Sequence, residues 1–269
     1  MLECIINVSE GRDTDSVAAI AAAGDVAVVD VHADAHHNRA VLTLVGPDVE
    51  DAARAVAVEA VHRIDLRLHV GVHPRMGAVD VVPFVPLATT TIAGAIRARD
   101  DFATWAATHL GLPCFLYGPE RALPDLRRDA FAALLPDYGP PVPHPTAGAM
   151  AVGARPALVA YNLWLTEDAS LDDARRVAAA VRCPHVRALG LDVGGTAQVS
   201  LNLLDPLNWG PAEAYDAVAS HVAVARAELV GLVPEAVLAA TDASRRDRLD
   251  LTPDRTIEAR LAARGWPDR

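Results

Sequence analysis

The chain has 269 residues, 52% of them hydrophobic and only 4% aromatic, so it can bury a sizeable core packed mainly by Ala, Val and Leu. Its 24 basic residues are outnumbered by 35 acidic ones, and the formal charge of −11 argues against a general nucleic-acid binder, which needs clustered Lys and Arg to neutralise phosphate. No apolar run reaches the roughly eighteen residues of a spanning helix, no basic segment leads into an apolar one at the N-terminus, and Cys4, Cys114 and Cys183 lie too far apart to suggest a disulfide or zinc framework. These features predict a soluble cytoplasmic protein whose partners are small molecules, with no nucleic acid, membrane or metal among them.

In chain order, Leu2–Val8 reads as a short strand closed by the polar cluster Ser9-Glu10-Gly11-Arg12-Asp13, and a helical pattern follows over Thr14–Ala23. Val26–Val31 and Ala40–Val45 read as strands on either side of a His-rich connection. Pro47–Ile64 is the clearest helix, with Pro near its start, Asp48, Glu50 and Asp51 in the first turn, and His62 and Arg63 in the last. A shaped loop, Gly71–Gly77, precedes a strand at Val79–Pro86. A helix-rich stretch at Thr89–Leu110, a strand at Cys114–Tyr117 and a helix at Pro119–Leu135 come next. Pro136–Gly153 is too rich in Pro and Gly for a regular element and too stiff for a free tether, which predicts a structured inter-domain loop. Beyond it, Ala157–Leu165 (strand), Ser170–Val181 (helix), His185–Val193 and Ala197–Leu204 (strands about Gly194-Gly195), Pro211–Ala227 (helix) and Leu229–Val233 (strand) repeat the order. The residues after Asp242 are charged and predict a solvated tail with one short helix over Asp254–Arg264. Two runs of β-α-β-β-α-β give an α+β fold of two ferredoxin-like subdomains in tandem, at 1–154 and 155–242, followed by a tail at 243–269.

Four stretches could carry chemistry. In His69-Val70-Gly71-Val72-His73-Pro74-Arg75-Met76-Gly77, glycines and a proline rule out a helix, and His73 is a candidate acid/base beside the permanent cation of Arg75. The alternative is that His73 merely braces its loop. His69 and His73 are four apart, but Gly71 and Pro74 break the helix that would put them on one face, and no ligand set completes a metal site. The second stretch, His32-Ala33-Asp34-Ala35-His36-His37-Asn38-Arg39, is polar and rich in hydrogen-bonding groups, or else an ordinary solvated hairpin. The third, Asp137 to Ala149, is a rigid loop exposing backbone groups that could line a pocket or act as a plain linker. In the fourth, Gln198, Ser200 and Asn202 alternate with apolar residues and share one sheet face.

Together with Asn7-Val8-Ser9-Glu10-Gly11-Arg12, Asn38-Arg39, His73-Pro74-Arg75-Met76-Gly77-Ala78-Val79-Asp80-Val81-Val82-Pro83-Phe84, Leu116-Tyr117-Gly118, Asp137-Tyr138-Gly139-Pro140, Gln198-Val199-Ser200-Leu201-Asn202 and Glu228-Leu229-Val230-Gly231, these stretches occur in family order. The chain thus resembles the formiminotransferase domain of the glutamate formimidoyltransferase family, which includes formiminotransferase-cyclodeaminase. The resemblance implies a folate-binding cleft between the two subdomains, dimeric assembly, and transfer of a formimino group from N-formiminoglutamate to the co-substrate tetrahydrofolate in histidine degradation. It implies that His73 is the catalytic histidine, and that Gly139, Pro140, Pro141, Val142, Pro143, His144, Pro145, Thr146, Ala147 and Gly148 form the folate-binding loop. Arg75, Arg39, Asn38 and His37 are expected to hold the substrate, the two arginines through its carboxylates. The sequence departs from the family at Val72, where Glu is common; at His32, where an acidic residue is common; at Ala35-His36-His37, which replaces Pro-Ser-Thr; and at Ala147, where Trp is common. Two other readings are a folate or small-anion binding protein on the same scaffold, and a transferase with a different one-carbon donor. Nothing beyond residue 240 resembles a cyclodeaminase, so a monofunctional chain is expected.

Overall fold

The computed structural model describes residues 1–87 and 89–266 and divides the chain into two units, one ending at Pro156 and the other beginning at Ala157. In the first, β1 (Leu2–Val8), α1 (Thr14–Ala23), β2 (Val28–Asp34), β3 (Arg39–Gly46), α2 (Val49–Arg63) and β4 (Val79–Pro86) make the β-α-β-β-α-β core. Then come α3 (Ile92–Leu110), β5 (Cys114–Tyr117), α4 (Leu123–Asp129) and β6 (Met150–Ala154). The sheet order is β2-β3-β1-β4-β6-β5. Its first four strands have ferredoxin-like connectivity, and β6 and β5 extend it in parallel from the β4 edge.

Local chemistry sets the helix limits. The Asp13 carboxylate accepts from the Asp15 and Ser16 N–H groups at the start of α1, and the Thr91 hydroxyl caps α3 through Gly94 N–H. The buried face of α2 is Val49, Ala53, Val56, Ala57 and Ala60, a helical spacing of small residues that lets the helix lie close on the sheet. Phe84 and Phe102 meet edge-on in this core, with ring centroids 5.8 Å apart.

The second unit repeats the plan with β7 (Val159–Leu165), α5 (Leu171–Val181), β8 (Val186–Val193), β9 (Thr196–Leu203), α6 (Pro211–Ala219) and β10 (Val224–Val230), followed by α7 (Glu235–Ala240) and α8 (Ile257–Ala263). Its sheet order is β10-β7-β9-β8, the same connectivity as the first four strands of the other sheet. Ser170 and Asp173 form a reciprocal capping box on α5. The fold is α+β with two ferredoxin-like units in tandem, as the duplicated order predicts.

Four details differ from the sequence reading. Met150–Ala154, expected inside the Pro/Gly loop, is a fully buried strand between β4 and β5; it is short and buried on both faces, so it shows no alternation, and Gly153 leaves room for the Tyr117 ring. The helix expected over Pro119–Leu135 is α4 alone, because the chain turns out after Asp129 to pack Phe131 edge-on against Phe115 at 5.0 Å. The helix expected over Pro211–Ala227 ends at Ala219, and β10 begins at Val224 rather than at Leu229. Finally, the stretch after Asp242 is not a solvated tail: Leu249, Leu251, Ile257 and Leu261 are buried, and α8 lies within the short helix expected there. Residues 267–269 of that stretch lie outside the described residues.

Candidate active site

Three of the predicted stretches converge within the first unit. The 69–77 loop crosses the turn between β2 and β3: the Asn38 side-chain amide donates to Val70 O at 3.0 Å, and His69 Nε2 pairs with Asn38 O at 2.9 Å. Asn38 also accepts from Gly11 N–H at 3.0 Å, which ties the Ser9–Asp13 segment to the same point. At its other end the loop is joined by backbone to the Pro/Gly segment. Ala149 N–H donates to Met76 O at 2.8 Å, Ala78 N–H to Ala147 O at 2.9 Å, and Leu66 N–H to Thr146 O at 2.8 Å. Gly148 sits at φ +70°, and a Cβ there would lie 2.2 Å from Met76 O, while one on Gly77 would lie 2.0 Å from Ala149 O. Two backbones meet at this junction, and only glycine fits.

His73 is the centre of this arrangement. Its Nδ1 lies 2.7 Å from Pro74 O, which makes Nδ1 the donor and leaves Nε2 without a hydrogen-bond partner among the described residues. The ring is partly shielded and stands close to Arg39 and Arg127. Burial first, then these two guanidiniums, lower its pKa to about 3, so His73 is neutral at physiological pH. Its ring lies edge-on to that of His37, with centroids 6.2 Å apart.

Beneath the loop is a charge cluster that sequence reasoning did not identify as part of the site. Asp80, on β4 and wholly buried, accepts from Arg39 at 2.6 Å and from Arg127 of α4 at 2.5 Å, while Met76 N–H donates to its other oxygen at 2.7 Å. Burial pushes its carboxyl up, but Arg39 and Arg127 outweigh that and hold it below the ordinary carboxylate range. Arg127 also donates to Pro74 O at 3.1 Å, reaching the residue next to His73. Two guanidiniums against one carboxylate leave one positive charge in excess beside His73. A lone Asp in the apolar run Val79–Pro86 was the available sign, since a buried carboxylate in a strand demands cationic partners.

The other predicted residues are placed as follows. Arg75 donates to Gly71 O and to His73 O at 2.8 Å, so part of its guanidinium shapes its own loop. Arg39 bonds Asn7 Oδ1 as well as Asp80, and Asn38, at φ +48°, holds the turn. His37 is buried and pairs with Asp34 at 3.0 Å. In the 139–148 loop, His144 Nδ1 accepts from Ala147 N–H at 3.1 Å and Thr146 N–H at 3.3 Å, while Val142 is exposed. His32 lies on β2 opposite Val41, not in the connection. Gln198, Ser200 and Asn202 belong to β9 of the second unit.

A loop bearing an unprotonated imidazole, a surplus cation next to it and a rigid backbone-stitched neighbour can hold an anionic substrate while moving a proton. Residues 1–155 match the family model described as the formiminotransferase domain, N-terminal subdomain. The glutamate formimidoyltransferase of Streptococcus pyogenes serotype M1 is 37% identical over 233 residues, covering 76% of this chain and 78% of that protein. The chain belongs to the formiminotransferase family. A glutamate formimidoyltransferase of Thermoplasma acidophilum is 34% identical over 275 residues, covering 88% of this chain and 89% of its own. The formimidoyltransferase-cyclodeaminase of Gallus gallus is 35% identical over 274 residues, covering 87% of this chain but only 50% of that protein, so the family match there concerns half of a longer enzyme. No described helix is long and apolar enough to cross a membrane.

Proposed function

We propose that this chain is a glutamate formimidoyltransferase, transferring a formimino group from N-formiminoglutamate to tetrahydrofolate. The observation that carries the reading is the position of His73: neutral, its Nε2 without a hydrogen-bond partner among the described residues, on a loop whose backbone is joined to the 139–148 loop and whose neighbours leave one cation unneutralised. Such a site fits a co-substrate with an apolar ring system and a carboxylate tail. Val72 is exposed next to it in the chain, Val142 is exposed on the 139–148 loop, and the excess charge of Arg39 and Arg127 suits a carboxylate.

Tetrahydrofolate supplies the accepting amine. The chain's part is to move protons and hold charge. His73 Nε2 takes the proton of the attacking amine, and an imidazole that gives it back protonates the departing glutamate nitrogen. The 139–148 loop holds the folate, Arg39 and Arg75 provide positive charge for glutamate carboxylates, and Asn38 and His37 line the same place. Three free thiols fit a cytoplasmic setting, and homodimeric assembly and a place in histidine degradation complete the reading on the family resemblance. Incubating the protein with N-formiminoglutamate and tetrahydrofolate, and following 5-formiminotetrahydrofolate by absorbance, tests it. Turnover is expected, with His73→Ala losing roughly 100-fold or more of kcat while folate binding persists. Folate binding without turnover would replace the transferase by a binding protein.

A further inference from the structure

The turn between β2 and β3 contains a second imidazole that the single-histidine scheme does not use for chemistry. The Asp34 carboxylate is fixed first by backbone: one oxygen accepts from the N–H groups of His36 and His37, both at 2.8 Å. Its other oxygen lies 3.0 Å from His37 Nδ1. This sets the ring orientation and the tautomer, with Nδ1–H facing the carboxylate and Nε2 without a hydrogen-bond partner among the described residues. Although burial pushes the Asp34 carboxyl up, the hydrogen bonds from His37 and His36 pull it far below the ordinary range, so a full negative charge stands behind the ring at any working pH. Gly71 packs on the His37 carbonyl, which brings the His73 loop over this turn. The two imidazoles therefore stand edge-on at 6.2 Å between centroids, neither Nε2 making a hydrogen bond among the described residues.

The surroundings of the two rings are opposite in sign. His73 faces Arg39 and Arg127, which together with burial disfavour a stored proton and outweigh the opposite pull of Asp80 beyond them, with Arg75 on its own loop. His37 faces Asp34 on one side and His73 on the other. We propose that the Asp34–His37 pair is the proton reservoir of His73, a positioning pair that takes up and returns the proton His73 moves during group transfer. The inference rests on the transferase reading above. Written out, the attacking amine gives its proton to His73 as its new carbon–nitrogen bond forms, and His73 passes that proton to His37, whose charge Asp34 balances. As the bond from carbon to the glutamate nitrogen breaks, the proton returns through His73 to that nitrogen. No proton is gained or lost over the cycle, and no oxidant or further reactant is needed.

Two measurements on the full chain test this. The imidazole nitrogens are titrated by NMR without substrate in the wild type, His37→Asn and Asp34→Asn, and kcat and KM are then followed against pH with N-formiminoglutamate and tetrahydrofolate. His37→Asn keeps a donor for Asp34 but removes the titrating group. It is expected to raise the titration point of His73 by roughly half a unit or more, because coupled sites shift one another. It is also expected to lower kcat about 10- to 100-fold with KM within about twofold, and to remove one inflection from the kcat–pH profile. Asp34→Asn, which removes the negative charge behind the His37 ring, is expected to lower kcat in the same way. A His73 titration indifferent to His37→Asn, or a wild-type kcat–pH profile in that variant, overturns the reservoir. Absence of wild-type turnover alongside intact coupling would instead overturn the formimino donor, and so separates the two failures.

Discussion

Asp80 shows how one residue fixes the charge of the site. Its side chain is fully buried, and those of Arg39 and Arg127 are 12% and 21% exposed, so the trio is largely withdrawn from water. Removing one member of such a group leaves the others buried and unbalanced, which costs more than the intact pair contributes. Asp80→Asn is therefore expected to lower stability by about 3 kcal/mol or more in urea unfolding. It is also expected to abolish activity, because the amide can still accept from Met76 N–H but turns an NH2 group instead of a carboxylate oxygen toward Arg39 and Arg127, which hold the site's charge. His73 adds a pH dependence of known sign. Its folded pKa, about 3, lies below the roughly 6.5 of an unfolded histidine, so between those values the unfolded chain binds more protons. Stability is expected to be level above about pH 6.5 and to fall as pH drops toward 3, with Asp80 adding a further loss below about pH 4. His73→Gln should flatten the upper part of that slope in denaturation curves taken across this range. A slope unchanged by the substitution would show that His73 takes up a proton in the fold without penalty.

At the scale of elements, the long periodic pieces were legible and the junctions were not. The strand β1 and the helices α1, α2 and α5 announce themselves through capping residues and repeated apolar spacing, all of which are local. The strand β6 was hidden because a five-residue buried parallel strand carries no alternation, and its partners are distant in sequence. The same holds for the site. His73, the 32–39 turn and the 139–148 loop could be nominated separately from residue type. Their meeting depends on backbone bonds between segments some 70 residues apart, such as Ala78 N–H to Ala147 O, and side-chain chemistry does not encode those. Asp80 and Arg127 were overlooked for a related reason, since each reads as an ordinary residue of its own element. Gly148 gives this junction a test. Any side chain there must adopt φ +70° and meet Met76 O, so Gly148→Ala is expected to cost roughly 1–3 kcal/mol of stability. Because the displaced backbone is that of the His73 loop, kcat should fall with it, whereas Gly195→Ala, where nothing lies within 4 Å of the added Cβ, should leave kcat unaltered.

Across the whole chain, the two units share a connectivity and close the same sheet edge by different means. In the first, the outer side of β4 is covered by β6 and then β5. In the second, the corresponding strand β10 pairs among the described residues only with β7, and an open row of backbone donors and acceptors would invite other strands. The segment after Asp242 covers it. Leu229 N–H donates to the Asp250 carboxylate at 2.8 Å, Arg255 donates to Leu229 O and Gly231 O, and Val233 exchanges backbone bonds with Arg255 and Ile257. Leu249 and Leu251 are buried in the core below, and Leu249 O accepts from the Tyr161 hydroxyl at 2.8 Å. A high charge density concealed this role, because Asp250 and Arg255 are edge-pairing groups rather than solvated ones. Leu249→Ala should then behave as a core substitution and cost about 2–5 kcal/mol, measured by chemical unfolding. Leu207→Ala, at a side chain 61% exposed, should cost almost nothing. Asp250→Ala should free Leu229 N–H and the Arg255 side chain together, and is expected to raise aggregation more than its loss of stability alone accounts for, read by light scattering at matched fractions unfolded. Equal scattering from Asp250→Ala and Leu249→Ala under those conditions would mean that the segment acts only through its buried leucines and not by shielding the edge of β10.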